Sequence, residues 1–533
     1  MIEKNQEMGS ARSEPFQYAK FNSEEFLTSV LGQFDKIDFN KKVFGEDPMS
    51  LSMQQVFDNT FSGKLTQIPK LTLTDYYIHT VDEIFRISEV NGWNLKVTNG
   101  KTYVFNGAYW SLIEEADLRS FFVKVVAKVG IPNRIARDFT FIDKLMKQFL
   151  SFGVYVEDKT TDFEVGINLK NGYLYIKEGK VKLIDFQKDR FLTYQLNYGF
   201  DEHATCPKFQ AFLNRVVPDN NLQNVLSEYI GYIFLPNNWP EFKAEKALIL
   251  LGSGANGKSV FNSIITSLIG TENITQFSMT SLTDSQNGTS RAQMENKLLN
   301  YSTEVGKRSD SDLFKKIASG EPLEVRRLYK DPYIIYRYAK LIFNANELPR
   351  DVEHKEAYFR RFLIIPFDVT IPKDEQDKGL AHKIVSDELP GILNWAIAGL
   401  YRLMIQKGFT KSDIVDAKLA EYMLESDSVQ LFLSENQIVP SVSKTIPRKS
   451  LYKAYQLFCQ SDGYKACSKI VFNQRLTDLR FTSRRMSDGY EYFAEVKQEE
   501  VEVKPRISFK PEFDPQKVVK VYSDFDQYFT DED

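Results

Sequence analysis

The residues with the clearest chemical meaning lie in one short segment that matches a phosphate-binding loop. The segment completes the pattern G-x-x-x-x-G-K-[ST] with Gly252, Ser253, Gly254, Ala255, Asn256, Gly257, Lys258 and Ser259. In such a loop the backbone N–H groups surround the phosphates, the lysine reaches the terminal phosphates, and the Ser/Thr hydroxyl ligates magnesium. The sequence therefore predicts a site for a nucleoside triphosphate and Mg²⁺, with Ser259 as a metal ligand.

The elements around this loop fit that interpretation. Residues 247–251 form a continuous apolar run that is typical of a buried strand, and residues 260–268 are typical of a helix. A strand, a loop and a helix in this order direct the positive end of the helix at a bound triphosphate. The loop does not identify the reaction, because kinases, GTPases, transporters and helicases all contain one.

Two further candidates for catalysis follow predicted strands. Residues 298–303 are a largely apolar segment that ends at Glu304, and residues 339–343 form another that leads to Asn346. Since ligands of α/β sheets bind at the carboxyl ends of the strands, both side chains are expected beside the phosphate loop. Glu304 is the predicted general base and magnesium-associated group, and Asn346 is predicted to orient the attacking water. The alternatives are a solvated glutamate at a strand end and an asparagine that starts a turn.

A pair of arginines, Arg360 and Arg361, precedes the apolar run 362–367. An ATPase also needs a positive charge that stabilises the transition state, and an arginine from another subunit can supply it. One arginine is expected to reach the nucleotide of a neighbouring subunit while the other packs in its own subunit. The sequence leaves open which of the two does so.

The order of these motifs resembles that of superfamily 3 helicases, and in particular the phage and plasmid primase-helicase family. The motifs lie between residues 252 and 361 and comprise the phosphate loop, Glu304, the segment 320–330 (Gly-Glu-Pro-Leu-Glu-Val-Arg-Arg-Leu-Tyr-Lys), Asn346-x-x-Pro349 and the arginine pair. The resemblance covers approximately residues 95–496. The chain departs from the family pattern at Glu321, where many members have aspartate, and at Thr303, where a second acid would precede Glu304.

The resemblance implies an AAA+-type ring, usually a hexamer, that hydrolyses ATP between subunits and moves along single-stranded DNA. It also implies a DNA-binding hairpin between about residues 324 and 336, with Lys330 near the tip and Arg326 and Arg327 on the stem. A solvated surface lysine is the alternative for Lys330. The first 200 residues contain no D-x-D pair, so the chain is predicted to be a helicase without priming activity, which a separate polypeptide would supply.

The predicted fold class is α/β: an AAA+-type P-loop ATPase core with an N-terminal α+β helicase-associated domain and a C-terminal winged-helix-like domain. Hairpin signals at Asn99-Gly100, Asn106-Gly107 and Asn171-Gly172 predict strands in the N-terminal part. The predicted domains are residues 1–90 (mainly helical), 91–245 (helicase-associated, with a helical collar), 246–370 (ATPase core), 371–425 (helical lid), 426–497 (winged-helix-like) and 498–533 (an acidic tail, predicted to be disordered).

Composition and charge are those of an ordinary globular protein, with 42% apolar and 26% charged residues. The sequence has no apolar run of about 18 residues and a polar N-terminus, so neither a membrane span nor a signal peptide is expected, and the predicted location is the cytoplasm of a bacterial host cell. Three cysteines and four histidines without a C-x-x-C pair argue against a zinc site. Because the net charge is −4, nucleic acid must be bound by local basic patches, such as the ten lysines and arginines between residues 444 and 485.

The preferred function is an ATP-dependent DNA helicase that replicates a phage, plasmid or integrated mobile element. It is expected to form a homo-hexamer on single-stranded and forked DNA, to bind origin duplex through the C-terminal module, and to work with a separate primase or other replication proteins. Two alternatives stay open: a DNA-binding AAA+ switch or loader without unwinding activity, and an RNA helicase.

Overall fold

The chain folds into two compact units, residues 1–175 with 182–200 and residues 176–181 with 201–533. The computed structural model describes residues 21–45, 70–153, 164–177, 180–237, 239–306, 310–349, 355–487 and 489–497. The predicted acidic tail at 498–533 lies outside these ranges, as do residues 1–20. Within them, no helix combines the length and the apolar composition that a membrane crossing requires.

The first unit combines helices with two small three-stranded sheets, and the strands of the first of these sheets pair antiparallel. Its helices are α1 (Ser23–Val30), α2 (Phe39–Phe44), α3 (Leu73–Val90), α4 (Glu115–Lys128), α5 (Asn133–Ala136) and α6 (Phe139–Phe152). Its strands are β1 (Leu95–Thr98), β2 (Lys101–Phe105), β3 (Trp110–Ile113), β4 (Val165–Leu169), β5 (Gly172–Lys177) and β6 (Lys180–Ile184), in the sheet orders β1-β2-β3 and β4-β5-β6; the last two residues of β5 and the first two of β6 are assigned to the second unit. The hairpin turns predicted from the three Asn-Gly pairs are present at these positions.

One apolar core joins the helices and the first sheet of this unit. It includes Phe26 of α1, Ile84 of α3, Val104 of β2 and Phe149 of α6. The boundary predicted at residue 90 therefore crosses a continuous core, and the one predicted at residue 245 lies inside the second unit. The division between units falls near residue 200 instead, because core packing between segments distant in sequence decides it.

A five-stranded parallel sheet forms the centre of the second unit. Its strands are β7 (Ala247–Leu251), β8 (Ile274–Thr275), β9 (Leu299–Ser302), β12 (Lys340–Ala345) and β13 (Phe362–Pro366), in the order β13-β7-β12-β9-β8. All four pairings are parallel. Strands β7, β12 and β13 are almost wholly buried, which explains their continuous apolar sequences. The predicted mixed α/β fold with a parallel central sheet is confirmed.

Short helices and one hairpin connect these strands, and longer helices pack against the sheet. The hairpin consists of β10 (Leu323–Arg326) and β11 (Pro332–Ile335). The helices are α7 (Pro207–Val216), α8 (Asn220–Tyr232), α9 (Lys258–Ile269), α10 (Met279–Thr283), α11 (Gly288–Gln293), α12 (Ser311–Ala318), α13 (Glu356–Phe359), α14 (Leu380–Gln406) and α15 (Asp413–Ser426).

The predicted collar, α7 and α8, packs on the predicted lid helix α14. A Cβ atom on Gly399 would lie 2.2 Å from the backbone of Ser227, so α8 and α14 approach too closely there for any side chain. Glu228, which is fully buried, accepts a 2.6 Å bond from Nε of Arg402. Collar and lid are thus one helical layer, although about 150 residues separate them in sequence.

The C-terminal module contains three helices and a three-stranded antiparallel sheet. Its elements are α16 (Ser428–Glu435), β14 (Ile438–Pro447), α17 (Arg448–Ser461), α18 (Lys469–Asp478), β15 (Ser483–Met486) and β16 (Gly489–Val496), with the sheet order β14-β16-β15. The sequence analysis predicts a winged-helix-like module here, and it does not predict the strand β14. Pro440 and Pro447 argue against a strand in the sequence, because proline cannot donate a backbone hydrogen bond. They are tolerated in β14 because it is an edge strand with a register shift after Pro440.

Candidate functional site

The phosphate-loop segment has the expected strand–loop–helix geometry. Strand β7 ends at Leu251 and α9 begins at Lys258. Gly257 caps the helix with a left-handed φ of 88°, and its Cβ position lies 2.8 Å from Val216 of α7. Glycine is therefore required there for two reasons, backbone conformation and close packing.

Lys258 folds its ammonium group onto its own loop. Nζ donates to the carbonyl oxygens of Gly252 (2.6 Å) and Ser253 (2.9 Å) and to Oδ1 of Asn256 (3.1 Å). The side chain is buried, and desolvation lowers the pKa of the ammonium group. The ammonium group is thus held by loop oxygens that phosphate oxygens could replace.

Asn256 fixes the loop to the end of a neighbouring strand. Its Nδ2 donates to the carbonyl oxygen of Ser253 (2.6 Å) and to that of Phe367, directly after β13 (2.9 Å). Ile371 N donates to the carbonyl oxygen of Ala255 (2.8 Å). These side-chain and backbone bonds fix the shape of the loop, while Ser259 at the start of α9 is exposed.

Glu304 and Asn346 lie at the same sheet edge as the loop. Gly252 N donates to the carbonyl oxygen of Ala345 (3.0 Å), so Asn346 follows directly beside the loop. Phe343 of β12 is aligned with Ser302 of β9, so Glu304 lies about two residues further along the adjacent strand. Both side chains are exposed at this edge. The structure thus brings together the three groups that the sequence predicted to act on a nucleotide.

Asn344, on β12, is a further polar residue of this region that the sequence analysis does not predict. Asn344 is buried, and its Oδ1 accepts a 3.2 Å bond from the hydroxyl group of Tyr301 on β9. Asn344 lies within the strand and Asn346 in the bend directly after it. The Asn-x-Asn spacing was the available signal, and the bond to Tyr301 links the Asn346 strand to the Glu304 strand.

The two arginines have different environments. Arg361 is buried: Nε donates to the carbonyl oxygen of Lys315 (3.2 Å), Nη2 donates to Oγ of Ser319 (3.0 Å), and Nη1 donates to the carbonyl oxygen of Ala357. The side chain of Arg360 is 60% exposed and lies 3.7 Å from Glu245. Of the pair, Arg361 packs within its own chain, whereas Arg360 is accessible at the surface.

Both arginines lie at the edge of the sheet opposite the phosphate loop. Ala247 N, at the start of β7, donates to the carbonyl oxygen of Arg361 (2.7 Å). The strand from this level to Gly252 spans about six residues, or roughly 20 Å at about 3.3 Å per residue. Neither arginine can therefore reach the loop of its own chain along this strand.

The segment expected to bind DNA forms the predicted hairpin. Strands β10 and β11 pair with Arg326 opposite Pro332, and Lys330 lies in the exposed turn. Nε of Arg326 donates to the carbonyl oxygen of Lys330 (3.2 Å). Arg326 and Lys330 are both exposed on the hairpin surface.

Arg327 takes part in a contact at the base of the turn. Its Nε donates to the hydroxyl group of Tyr333 (3.2 Å), and its guanidinium lies 4.7 Å from the centre of that ring. The same hydroxyl group donates to Oε2 of Glu295 (3.0 Å), and burial together with Glu295 raises the pKa of Tyr333 to about 12. We call Arg327, Tyr333 and Glu295 the hairpin clamp. It connects the turn to the segment that leads into β9 and hence toward Glu304.

The basic residues of the C-terminal module divide into two groups. Four bind partners within the module or beside it: Arg475 to Asp427 (2.7 Å), Arg484 to Glu491 (3.0 Å), Lys444 to Glu495 (2.8 Å) and Arg448 to Asn473 (2.6 Å). Six others are exposed: Lys449, Lys453, Lys465, Lys469, Arg480 and Arg485. The surface charge available to a ligand is therefore smaller than the sequence count.

Three segments match known protein families. Residues 73–218 match a family described as "D5 N terminal like", residues 250–361 match a family of unknown function (DUF5906), and residues 424–505 match a family described as "Poxvirus D5 protein-like". The second match contains the phosphate loop, Glu304, Asn346 and both arginines. The two D5-type matches lie on either side of it.

Individual relatives are distant. The chain is 22% identical over 331 residues to "Putative helicase L207/L206" of Acanthamoeba polyphaga mimivirus, a match that covers 56% of this chain and 33% of that protein. The chain thus spans about a third of the length of this relative. Two apo structures of the NrS-1 C-terminal region are similar at 15% identity, with TM-scores of 0.45 and 0.41; each match covers 78% of this chain and 98% of the NrS-1 chain.

Proposed function

Since the chain belongs to the phage and viral primase-helicase family, we propose that it is an ATP-dependent DNA helicase that replicates a phage, plasmid or integrated mobile element. The observation that carries the proposal is the shared sheet edge. There the loop around Lys258, the carboxylate of Glu304 and the amide of Asn346 follow the carboxyl ends of β7, β9 and β12, which are neighbours in the sheet. These are the phosphate-binding, base and water-orienting groups of an ATPase.

The donor groups at this edge fit ATP and Mg²⁺. The ammonium of Lys258 is held by loop oxygens, the start of α9 supplies backbone N–H groups, and Ser259 and Glu304 are exposed beside them. The described residues contain no cluster of three His, Cys, Asp or Glu side chains that could hold a metal alone. Magnesium, when bound, would neutralise phosphate charge, with Ser259 and Glu304 as the protein groups that hold it.

Arg360 would complete the site of a neighbouring subunit. It is exposed and lies roughly 20 Å from its own loop along β7, counting about 3.3 Å per residue. A second copy that places its sheet edge against Arg360 would bring the guanidinium to the phosphates, where the transition state gains negative charge. This arrangement favours a ring, with a hexamer as the family resemblance implies, over a monomeric ATPase.

The hairpin would contact the DNA strand in the centre of that ring. Lys330 and Arg326 are exposed on it, and an ammonium group binds phosphate without regard to base sequence. Arg327 would act indirectly, through the hairpin clamp. The exposed basic residues of the C-terminal module, which we propose is a winged helix, would bind duplex near an origin.

The test measures ATP hydrolysis and the unwinding of forked DNA by the full chain. We expect single-stranded DNA to stimulate hydrolysis more than RNA does. Lys258→Ala should eliminate both activities, Lys330→Ala should retain nucleotide binding but lose unwinding, and Lys182→Ala, at an exposed position on β6, should leave both unchanged.

Each alternative function predicts a different outcome. Hydrolysis that DNA stimulates without any strand separation would support the switch or loader and refute the motor. Equal stimulation by RNA and DNA would support an RNA helicase. Normal unwinding by Lys330→Ala would exclude the proposed role of the hairpin.

A further inference from the structure

The turn of the β10–β11 hairpin exposes two large apolar side chains. Leu328 is 66% exposed and Tyr329 is 91% exposed. They occupy consecutive positions between Arg327 of the clamp and Lys330. Elsewhere on the hairpin, Val325 and Ile335 are buried in the core of the second unit. Apolar surface is therefore presented at the tip, where the fold itself gains nothing from it.

Tyr329 also has an unfavourable backbone conformation. Its φ is 58°, in the left-handed region that glycine and asparagine adopt readily and that aromatic residues rarely adopt. A glycine at this position would relieve the strain and remove the exposed ring at the same time. A strained residue that persists in an exposed turn is an indication of function.

The turn is held in this shape by several bonds. Lys330 N donates to the carbonyl oxygen of Arg327 (3.1 Å), and Nε of Arg326 donates to the carbonyl oxygen of Lys330 (3.2 Å). Arg327 is in turn fixed on Tyr333 by the clamp. These bonds order the backbone on both sides of Tyr329 and keep the ring directed away from the body of the protein.

We propose that Tyr329 stacks on an unpaired base of single-stranded nucleic acid, with Leu328 in contact with the same or the next base and Lys330 beside the phosphate. The inference rests on the proposed function, because it takes the hairpin as the element that meets the strand. It adds a base contact to a hairpin assigned so far only to the phosphate backbone. Aromatic rings beside cations bind single strands of any sequence, because every base has a flat face.

This contact would give the hairpin a preference for unpaired strands. Phosphates are present in both duplex and single strands, so Lys330 alone cannot distinguish them. The faces of bases are covered by neighbouring bases in a duplex and become available when the strand is unstacked. Tyr329 would therefore hold the separated strand and oppose its return to the duplex.

A neighbouring copy of the hairpin is the competing occupant of this apolar tip. The segment 324–336 carries three basic residues (Arg326, Arg327 and Lys330) and two acidic ones (Glu324 and Asp331), a net charge of +1. Like-charged tips would repel in a ring, whereas the same charge attracts a polyanion. The charge therefore favours nucleic acid.

The experiment compares binding of the full chain, with a non-hydrolysable ATP analogue, to two oligonucleotides of equal length. One is ordinary single-stranded DNA and the other has abasic sites throughout. Tyr329→Ala should bind the ordinary strand roughly tenfold more weakly, within the range for loss of one stacked base, and the abasic strand as wild type does. Tyr329→Phe should bind both strands normally, and Lys330→Ala should weaken both.

Several outcomes would overturn the inference. These are wild-type affinity of Tyr329→Ala for the ordinary strand, equal losses on the two strands, and absence of any binding by the wild type. If Tyr329→Ala changes the oligomeric state but leaves the affinity for DNA per protomer unchanged, the Tyr329 side chain contacts a neighbouring copy and not a base. The binding experiment does not depend on ATP hydrolysis. If the wild-type protein shows the Tyr329-dependent preference for the ordinary strand but neither hydrolyses ATP nor unwinds DNA, the proposed helicase function is refuted and the proposed base contact is retained.

Discussion

The adjacent arginines provide the sharpest test, because the structure predicts that their loss has opposite consequences. Arg361→Ala should lower the free energy of unfolding, whereas Arg360→Ala should leave the protein folded but inactive in ATP hydrolysis. The reason is that the guanidinium of Arg361 is bonded within the fold, whereas the Arg360 side chain is 60% exposed. Position in the sequence does not distinguish them.

The expected loss for Arg361→Ala follows from its bonds. Its removal leaves the carbonyl oxygens of Lys315 and Ala357 and the hydroxyl group of Ser319 without a cationic donor. Two to three bonds of this kind suggest a loss of about 3–5 kcal/mol in the free energy of unfolding, since each is worth about 1.5–3 kcal/mol and water replaces some of them. In a domain of 150–250 residues, about 3 kcal/mol lowers the melting temperature by roughly 6–12 °C.

Arg360→Ala should change stability little. Its one ion pair, to Glu245 at 3.7 Å, is exposed on the arginine side and is worth about 0–1 kcal/mol. Its hydrolysis rate should nevertheless fall by roughly 10³-fold or more, as expected for an arginine supplied in trans. Arg360→Lys is the matched control, because it keeps the charge but loses the planar fork, and it should recover only part of the rate.

The assay combines thermal unfolding with ATP hydrolysis by mixed rings. Arg360→Ala protein has an intact loop, and Lys258→Ala protein has an intact arginine, so rings that contain both should recover hydrolysis at the mixed interfaces. Arg361→Ala should be recognised by its lowered melting temperature. The reasoning is refuted if the two alanine variants melt alike, if Arg360→Ala hydrolyses ATP normally, or if mixing restores no activity.

Three further predictions address the phosphate loop, the hairpin and Lys340, a buried lysine at the start of β12. Gly257→Ala should abolish binding of a fluorescent ATP analogue, because φ is 88° and the new methyl group would lie 2.8 Å from Val216; retained affinity would contradict the loop assignment. Tyr333→Phe keeps the ring but loses both hydroxyl bonds of the clamp, so DNA-stimulated hydrolysis should fall several-fold while basal hydrolysis stays normal; equal effects on both rates would argue against coupling through the clamp. Burial lowers the pKa of Lys340 to about 7, so between about pH 7 and pH 10 the unfolded chain holds the extra proton, and stability should rise with pH by up to about 1.4 kcal/mol per unit. The free energy of unfolding of Lys340→Met, measured in urea at several pH values, should rise less steeply with pH than that of the wild type. An unchanged pH dependence would show that Lys340 is charged in the folded protein.

Local features of the fold could be predicted from sequence because local physics determines them. An Asn-Gly pair adopts the positive φ values that a tight hairpin needs, as Asn99 (φ 50°) and Gly100 (φ 67°) do. The apolar run 247–251 could only be a buried strand or a short buried helix, and the glycine-rich loop after it favoured the strand. The expectation that Glu304 and Asn346 lie at the loop edge of the sheet followed from the general rule that ligand groups gather at the carboxyl ends of parallel strands, whereas the strand order did not.

Features that depend on contacts between distant segments could not be predicted. The boundary at residue 90 was placed where composition changes, yet Ile84 and Val104 share one core. The strand β14 was missed because Pro440 and Pro447 are unfavourable in most strands and acceptable only at an edge, and a sequence does not state which strand is at an edge. The clamp joins Glu295 and Tyr333, which are 38 residues apart and have no periodicity in common.

The arginine pair shows both the reach of local sequence patterns and the effect of contacts between distant segments. Burial of Arg361 is decided by Lys315 and Ser319 on and beside α12, more than 40 residues earlier, so no local pattern could separate it from Arg360. Once the fold makes that distinction, the sheet makes a second one: Arg360 lies at the amino edge of the strands and the phosphate loop at the carboxyl edge. Under the proposed function, one chain would therefore hold two halves of an ATP site that face different directions, and the approach of a second copy would bring complementary halves together.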